Sequence, residues 1–223
     1  MQPDFVKQFE AYARQGVKEL DIDLSEKSWA SLLKYFSLLQ EFGKPLGLTA
    51  LESPLDFAVK HLFDSLSVLP FLPPGPLLDL GTGAGLPGMV IKLLEPEREV
   101  WLVDARKKPI SFLTYVVGVM GIKKVKVIQT RVGRSDPLPR RYFEGVVSRA
   151  VSDLSLLWSL AHPLLKEGQP LLALKGPKVI KEIQILRQKD PLLEIKAHPL
   201  RLPLLGEERI IVEVRTPIKG SPN

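Results

Sequence analysis

Apolar side chains recur at three- and four-residue steps through the first seventy residues, the spacing of helices that cover a core. One predicted helix begins after Ser25, whose hydroxyl suits an N-cap, and Glu26 places a carboxylate in its first turn. The residues expected on its inward face are Trp29, Leu32, Leu33, Phe36 and Leu39. Because this apolar stripe needs a partner, we expect the N-terminal helices to pack on the rest of the protein.

A second helix is predicted from about Asp56 to Val68. Its inward residues are expected to be Val59, Leu62, Phe63 and Leu66. The segment 42–50 between the two helices contains two glycines and Pro45, and is predicted to be a loop. The proline-rich segment 70–76 ends the second helix.

After residue 76 short apolar runs alternate with helical segments. The predicted strands are 77–80, 100–103, 125–129, 145–147, 171–174, 193–198 and 210–215. The predicted helices are 86–94, 108–120, 153–165 and 179–189. Such alternation implies βαβ units and a mostly parallel twisted sheet with helices on both faces. We therefore predict an α/β protein with an N-terminal helical extension, residues 1–70, packed on a sheet-containing domain, residues 71–223.

The composition narrows the class of protein. The chain has no cysteine, which excludes disulfides, thiolate metal sites and cysteine nucleophiles. Its three histidines lack the spacing of metal ligands, so no metal site is predicted. No apolar run is long enough to span a membrane, and the first ten residues lack the apolar core of a signal peptide, so we expect a cytoplasmic protein. The net charge of +6 is compatible with a nucleic-acid partner.

The segment 77–88 contains a strand, a glycine-rich turn and the start of a helix, with Pro87 suited to the first helical turn. Glycine lets the backbone turn tightly and approach a ligand closely. In open α/β sheets such loops lie at the carboxyl ends of strands, where ligands bind. The loop residues predicted to contact a cofactor are Gly81, Thr82, Gly83 and Gly85.

Asp104 ends the second strand, 23 residues after Gly81, and can accept hydrogen bonds from both hydroxyls of a ribose. A ribose occurs in NAD and in S-adenosylmethionine (AdoMet), so Asp104 does not distinguish them. The dinucleotide fingerprint needs a glycine where Leu86 stands. The spacing Gly81-x-Gly83-x-Gly85, preceded by Asp79, instead resembles the first motif of the Rossmann-like class I methyltransferases, and therefore favours AdoMet.

The sequence lacks the residues that two common methyltransferase reactions require. Enzymes that methylate exocyclic amines have an Asn/Asp-Pro-Pro-Tyr/Phe box after the fourth strand, where this chain has 146–150, Val-Val-Ser-Arg-Ala. Transfer to pyrimidine C5 needs a cysteine nucleophile, which this chain lacks. Ring nitrogens and oxygens remain as acceptors. Guanine N7 needs no base, because its lone pair is free at neutral pH and transfer requires mainly alignment.

Over almost its whole length the sequence resembles the bacterial small-subunit ribosomal RNA guanine-N7 methyltransferases, the glucose-inhibited division protein B family. The segments that carry the resemblance are Leu48-Thr49-Ala50, His61 with Asp64-Ser65, residues 79–88, Asp104 with Lys107-Lys108, Phe112-Leu113, Arg131-Val132, Ser148-Arg149-Ala150, residues 173–176 and Glu208-Arg209. The resemblance implies AdoMet as methyl donor and a guanine of the 530 loop of 16S rRNA as acceptor.

The resemblance also implies cofactor contacts at Gly81, Leu86, the pair Val132–Gly133, and Arg149. The sequence departs from the family at two positions. Gly47 stands where the family usually has Asn, and Gly133 stands where it usually has Glu. We expect Gly133 to contact adenine through its backbone groups, so that the missing side chain does no harm.

Charged residues after the strands suggest how anionic partners are held. Arg149 follows the fourth strand and is expected to pair with the methionyl carboxylate or with a phosphate. The candidates for contact with RNA are Lys107, Lys108, Lys175 and Lys178. For His61, Asp64 and Ser65 we expect structural roles, because buried polar groups normally find partners.

Two other functions stay open at this level: an AdoMet-dependent enzyme for small molecules, and a non-catalytic RNA-binding module on a methyltransferase fold. The first predicts an apolar lid over the site, and the second predicts a damaged glycine loop, whereas this loop is intact. The expected partner is 16S rRNA, the small subunit or an assembly intermediate, and a monomer is expected.

Overall fold

The computed structural model describes residues 3–50, 53–133, 135–149 and 152–217. Its helices and strands, in chain order, are α1 (Pro3–Glu19), α2 (Glu26–Leu46), α3 (Pro54–Phe57), a π-helical segment (Ala58–Phe63), α4 (Asp64–Leu66), a 3₁₀ turn (Leu69–Phe71), β1 (Leu77–Leu80), α5 (Gly88–Leu94), β2 (Val100–Asp104), α6 (Lys107–Met120), β3 (Val125–Gln129), β4 (Gly145–Arg149), α7 (Leu154–Ala161), β5 (Leu171–Lys175), α8 (Val179–Lys189), β6 (Glu194–Arg201) and β7 (Glu208–Arg215).

The seven strands form one sheet in the order β3-β2-β1-β4-β5-β7-β6. The first five in this order are parallel, and β7 runs antiparallel to both of its neighbours. Because β7 is antiparallel, its first residues lie at the edge where the parallel strands end, and Ile210 is paired with Lys175. The prediction of a mostly parallel α/β sheet is confirmed.

Alternate side chains of the strands enter two separate cores, as the two-residue period of a strand requires. On β2, Val100 and Leu102 pack with the first core, under the N-terminal helices, α5 and α6. Trp101 and Val103 pack with the second core, under α7 and α8. Helices therefore cover both faces of the sheet, as predicted.

The N-terminal helices share the first core with the sheet. Trp29, Leu32, Phe36 and Leu39 are buried there, and Leu33 is half-buried beside them. The hydroxyl of Ser25 accepts a hydrogen bond of 3.1 Å from the backbone N–H of Ser28, which confirms the predicted N-cap.

The loop predicted at 42–50 is wrong in its first half, because α2 continues to Leu46 with Pro45 in its last turn. Gly47 ends the helix in the left-handed conformation, and its N–H reaches the carbonyls of Gly43 and Lys44. Because Pro45 lies in the last turn of α2, its missing N–H removes a single helical hydrogen bond. The Gly47 N–H then satisfies the carbonyls of Gly43 and Lys44.

The second predicted helix exists but is not one regular α-helix. Residues 58–63 widen into a π-helix between α3 and α4. The apolar periodicity did not show this change, because the same residues, Val59, Leu62, Phe63 and Leu66, face inward in both geometries. Single π turns occur frequently at functional sites, and this one borders the cavity described next.

Candidate active site

A cavity of about 830 Å³ opens at the carboxyl edge of the parallel strands. This position and size are typical of ligand sites in open α/β sheets. Its wall has two parts. The glycine-loop half contains Gly81, Thr82, Gly83, Ala84, Leu86, Asp104, Arg106 and Val132. The cationic half contains Lys60, Asp64, Arg149, Lys175, Glu207 and Arg209.

The glycine loop continues the line of β1 across the end of the sheet. The backbone N–H groups of Gly81 and Thr82 both donate to the carbonyl of Val103, at 2.8 and 2.9 Å. Gly81 and Gly83 have positive φ angles of 73° and 56°, which favour glycine. The cavity-side surface of the loop is therefore bare backbone that a ligand can approach closely.

Asp79 holds the glycine loop in its conformation through buried hydrogen bonds. It is completely buried, and one carboxylate oxygen accepts hydrogen bonds from the Thr82 hydroxyl at 2.6 Å and from the Gly88 N–H at 2.8 Å. Its other oxygen, Oδ1, has no hydrogen-bond partner among the described residues. Burial raises the pKa of Asp79 to about 6, against the lowering effect of the two hydrogen bonds. The predicted contact residue Thr82 thus uses its hydroxyl to brace the loop, and only the rest of the residue is available to a ligand.

Gly85 is not among the residues that line the cavity, and its predicted contact with a cofactor stays a prediction. Its φ of 104° favours glycine, and an added Cβ would lie 2.7 Å from Leu113 and 3.2 Å from the hydroxyl of Tyr35. The third glycine of the motif therefore allows the loop to pack against helices α2 and α6. Leu86 is buried and lines the cavity, where its contact with a cofactor stays a prediction.

Asp104 lies at the end of β2 beside Gly83. Its carboxylate accepts hydrogen bonds from the Gly83 N–H at 3.0 Å and from the Arg106 N–H at 2.9 Å. The Arg106 guanidinium reaches both carboxylate oxygens at 3.1 Å from the solvent side. Burial opposes ionisation of Asp104, but these hydrogen bonds outweigh it and hold its pKa below the ordinary value. The carboxylate is therefore ionised and placed to accept hydrogen bonds from hydroxyl groups at the cavity edge.

Val132 lines the cavity, whereas Gly133 lies just beyond its wall. The Gly133 N–H donates to Asp136 at 2.8 Å, and its carbonyl accepts from Arg140 at 2.8 Å. The N–H of Gly133 is therefore used within the protein, whereas its carbonyl keeps a second lone pair, so the expected backbone contact with adenine stays a prediction that concerns the carbonyl. A Cβ added at Gly133 would meet no atom within 4 Å, so the position has room for a side chain.

Arg149 ends β4 and enters the cavity, as predicted. Its Nη1 donates to the backbone carbonyl of Lys60 at 2.6 Å and to the carboxylate of Asp64 at 3.2 Å. Both acceptors belong to the N-terminal helices, at the π-helical segment and the residue after it. Ala150, the third residue of the motif that contains Arg149, lies outside the described residues.

Asp64 also accepts from Nε of Arg209 at 3.1 Å, and Arg209 in turn contacts Glu207 at 3.0 Å. The prediction of a purely structural role for Asp64 is therefore incomplete, because its carboxylate also forms part of the cavity wall. The sequence did not indicate that Lys60, Glu207 and Arg209 belong to the site. The antiparallel direction of β7 brings the last two to this edge, and no pattern in the sequence specifies that direction.

His61 and Ser65 make hydrogen bonds within the N-terminal segment, residues 3–70. Nε2 of His61 lies 2.9 Å from the Thr49 hydroxyl, and the Ser65 hydroxyl donates to the His61 carbonyl at 2.6 Å. Burial, with the nearby charge of Arg149, lowers the pKa of His61 to about 3. The imidazole is neutral at physiological pH and lies outside the cavity wall.

The lysines predicted to meet RNA lie in two environments. Lys175 ends β5 and lines the cavity, but its ammonium pairs with Glu182 at 3.0 Å and with the Ser152 carbonyl, so its charge is already partly compensated. Lys107 and Lys108 are exposed at the start of α6, and Lys178 is exposed before α8. All of these positions face the carboxyl edge of the sheet.

Acid–base groups in the cavity wall are all paired. Its described carboxylates are Asp64, Asp104 and Glu207, and each one contacts an arginine within 3.2 Å. Within the described ranges, no three His, Asp or Glu side chains form a group that could hold a metal ion, and no helix could cross a membrane. The paired charges of the wall can bind and orient charged ligands.

A family model described as GidB, rRNA small subunit methyltransferase G, matches residues 28–211. The chain belongs to this family. Proteins named ribosomal RNA small subunit methyltransferase G are its curated relatives. One from Acinetobacter baumannii is 39% identical over 197 residues, which is 88% of this chain and 92% of the relative. One from a Psychrobacter species is 34% identical over 200 residues, 90% and 88% of the two chains. The predicted family resemblance is confirmed.

Solved structures similar to this GidB-family protein include methyltransferases. A SAM-dependent methyltransferase from Aquifex aeolicus superposes with a TM-score of 0.57 at 18% identity, over 76% of this chain and 97% of its own. A protein of Methanococcus maripaludis, assigned as an AdoMet-dependent methyltransferase, has a TM-score of 0.55 at 13% identity, over 90% and 98% of the chains. These similarities confirm the class I, Rossmann-like methyltransferase fold.

Proposed function

We propose that this protein transfers a methyl group from AdoMet to N7 of a guanine in the 530 loop of 16S rRNA. The observation that carries the proposal is the divided cavity at the carboxyl edge of the sheet. One half consists of bare glycine backbone and an ionised carboxylate, and the other half is cationic. Family membership favours RNA of the small ribosomal subunit over a small-molecule acceptor.

The residues of the glycine-loop half suit AdoMet. A Cβ added at Gly83 would approach only Arg106 and the Gly81 carbonyl, both at 3.7 Å or more, so the space above the loop is open. In the proposed arrangement Gly81 and Gly83 face the ligand, Leu86 and Val132 contact its adenine, and Asp104 accepts from the ribose hydroxyls. When bound, AdoMet supplies a sulfonium methyl group that a nucleophile can attack.

The cationic half suits an RNA acceptor. In the cavity wall Lys60, Arg149, Lys175 and Arg209 outnumber Asp64 and Glu207, although the two lysines also pair with Asp56 and Glu182 beside the wall. Exposed Lys107, Lys108 and Lys178 extend the charge along the same edge, where RNA phosphates can be held. Guanine offers N7 with a free lone pair. The protein therefore needs to align N7 with the methyl group and to exclude water, and needs no general base.

We propose that residues 1–70 form an extension of the methyltransferase domain, residues 71–223, because both contribute to one core. The protein is proposed to act as a monomer in the cytoplasm, on 16S rRNA within the small subunit or an assembly intermediate.

The test is methylation mapping of 16S rRNA by mass spectrometry in cells with and without the gene for this chain, with complementation as control. Loss of one N7-methylguanine from the 530 loop, restored by the wild-type chain, is the expected result. A methyl group lost from an exocyclic amine or a ribose oxygen would contradict the chemistry. Unchanged rRNA methylation would favour a small-molecule substrate or a non-catalytic RNA-binding role.

A further inference from the structure

Four charged side chains cross the cationic half of the cavity in a continuous row, which we call the carboxylate–arginine row: Glu207, Arg209, Asp64 and Arg149. Neighbours in the row are joined at 3.0 Å, 3.1 Å and 3.2 Å. The row links three parts of the chain that are distant in sequence, because Asp64 follows the π-helical segment, Arg149 ends β4 and Arg209 lies in β7. Asp64 lies between the two arginines and is buried.

The two arginines differ in how many of their nitrogens are occupied. Every guanidinium nitrogen of Arg209 has a partner, namely Asp64, the Glu208 carbonyl and Glu207. Arg149 uses only Nη1, which donates to Asp64 and to the Lys60 carbonyl. Among the described residues, Nε and Nη2 of Arg149 make no hydrogen bond.

Nε and one Nη of an arginine form a planar pair of donors that fits the two oxygens of a carboxylate or phosphate. In Arg149 this pair is left for a ligand, while Nη1 anchors the group to the N-terminal helices. Asp64 also separates two guanidinium groups that would otherwise repel each other. Without the carboxylate, Arg149 would lose its charged anchor and much of its fixed direction.

We infer that Asp64 and Arg209 are positioning residues for Arg149, which they hold ready to bind an anionic group in two-point geometry. The inference rests on the proposed function, which supplies two sources for that group: the methionyl carboxylate of AdoMet and a phosphate of the RNA. Arg209 acts through Asp64, and Asp64 acts through Arg149.

The experiment compares wild type with Asp64→Asn, Arg149→Ala and the double variant. AdoMet binding is measured by calorimetry, and binding of 16S rRNA is measured by filter retention at fixed salt. Asp64→Asn should lower the affinity for one of the two ligands by a factor of about ten or more, which is the effect of losing a hydrogen bond to a charged group. The ligand affected identifies the anion. In the double variant the loss should equal that of Arg149→Ala alone, because Asp64 acts through Arg149.

Glu99→Gln is the matched control. Glu99 is also a partly buried carboxylate, which accepts from Trp101 at 2.7 Å and Tyr142 at 2.8 Å, but it precedes β2 at the opposite edge of the sheet. It should lower thermal stability without changing either affinity. If Asp64→Asn does not fold, Arg209→Lys provides the same test, because it disturbs the row while keeping the charge that balances Asp64.

Wild-type affinity for both ligands in folded Asp64→Asn would overturn the inference, as would fully additive losses in the double variant. Failure of the proposed function would be recognised by a different observation. The wild-type protein would then transfer no methyl group to 16S rRNA, regardless of the affinities measured for the variants.

Discussion

The hydroxyl of Tyr35 donates a hydrogen bond of 2.8 Å to the backbone carbonyl of Ala84, and thereby joins helix α2 to the glycine loop. The Tyr35 side chain is completely buried, and burial raises the pKa of its hydroxyl well above the ordinary range. The phenol is therefore a neutral donor at every physiological pH. Through this bond the N-terminal helices support the back of the loop whose front faces the cavity.

Tyr35→Phe removes the donor and leaves the Ala84 carbonyl buried without its partner. We expect the free energy of unfolding to fall by about 1 to 2 kcal/mol. AdoMet binding, measured by calorimetry, should weaken several-fold as the loop becomes less well held. Tyr115→Phe, on the exposed side of α6, serves as the control. Unaltered AdoMet affinity in a destabilised Tyr35→Phe protein would mean that the bond supports the fold but not the site.

Asp104→Ala should weaken AdoMet binding by about 2 to 3 kcal/mol, because the ribose hydroxyls lose a charged acceptor and the Gly83 N–H loses its partner. Calorimetric titrations with AdoMet and with NAD check this expectation. Glu97→Ala, an exposed carboxylate at the opposite edge of the sheet, should bind AdoMet as wild type does. NAD binding without AdoMet binding by the wild type would show that the glycine spacing had been misread.

The rate of methyl transfer should be nearly constant between about pH 6.5 and 8.5, because N7 carries no proton and its lone pair needs no base before it attacks the methyl group. Each carboxylate of the cavity wall is paired with an arginine, and His61, with a pKa near 3, remains neutral over this range. Single-turnover kinetics on purified small subunits or an assembly intermediate measure the rate. A steep rise with pH that disappears on mutation of one cavity carboxylate would reveal a general base.

Asp79→Asn should change how stability depends on pH. Burial raises the folded-state pKa of Asp79 to about 6 from an ordinary value of 3.8. Between those values the folded protein keeps a proton that the unfolded chain has released, so this group's contribution to stability decreases as the pH rises. At one pKa unit per 1.36 kcal/mol, the ionised group costs about 3 kcal/mol at neutral pH.

Asparagine is neutral and retains an oxygen for Thr82 and Gly88. Relative to wild type, Asp79→Asn should therefore gain up to about 3 kcal/mol between pH 4 and pH 7. Urea denaturation at several pH values measures the difference, with exposed Asp23→Asn as control. A constant difference between wild type and Asp79→Asn across this range would show that Asp79 titrates normally.

Gly133→Glu introduces the side chain that the family resemblance leads us to expect at this position. Because an added Cβ meets no atom within 4 Å, we expect stability to change by less than about 0.5 kcal/mol. The carboxylate can accept hydrogen bonds at the edge of the cavity beside Val132, so AdoMet affinity should rise. Calorimetry and thermal denaturation check both expectations, with Gly133→Gln to separate charge from size. Weaker binding by both variants would mean that the space is needed empty.

The local pattern of apolar and polar residues was sufficient to predict most of the fold. The strands of the parallel sheet could be read from short apolar runs, and β3 and α8 have the predicted bounds, because alternating burial and helical periodicity leave direct traces in the sequence. The glycine loop and Asp104 could be placed at one edge for the same reason. Both follow parallel strands, and parallel strands in βαβ units end on the same side.

Tertiary structure decided the rest of the site. The π-helical turn that presents the Lys60 carbonyl has the same apolar pattern as an α-helix, so the sequence could not reveal it. Arg209 and Glu207 reach the cavity only because β7 runs antiparallel beside β5, a pairing between distant strands. Asp64 meets Arg149 across 85 residues of chain, and Tyr35 meets Ala84 across 49. Sequence determined which residues can carry charge or turn tightly, whereas packing between distant segments determined which of them meet.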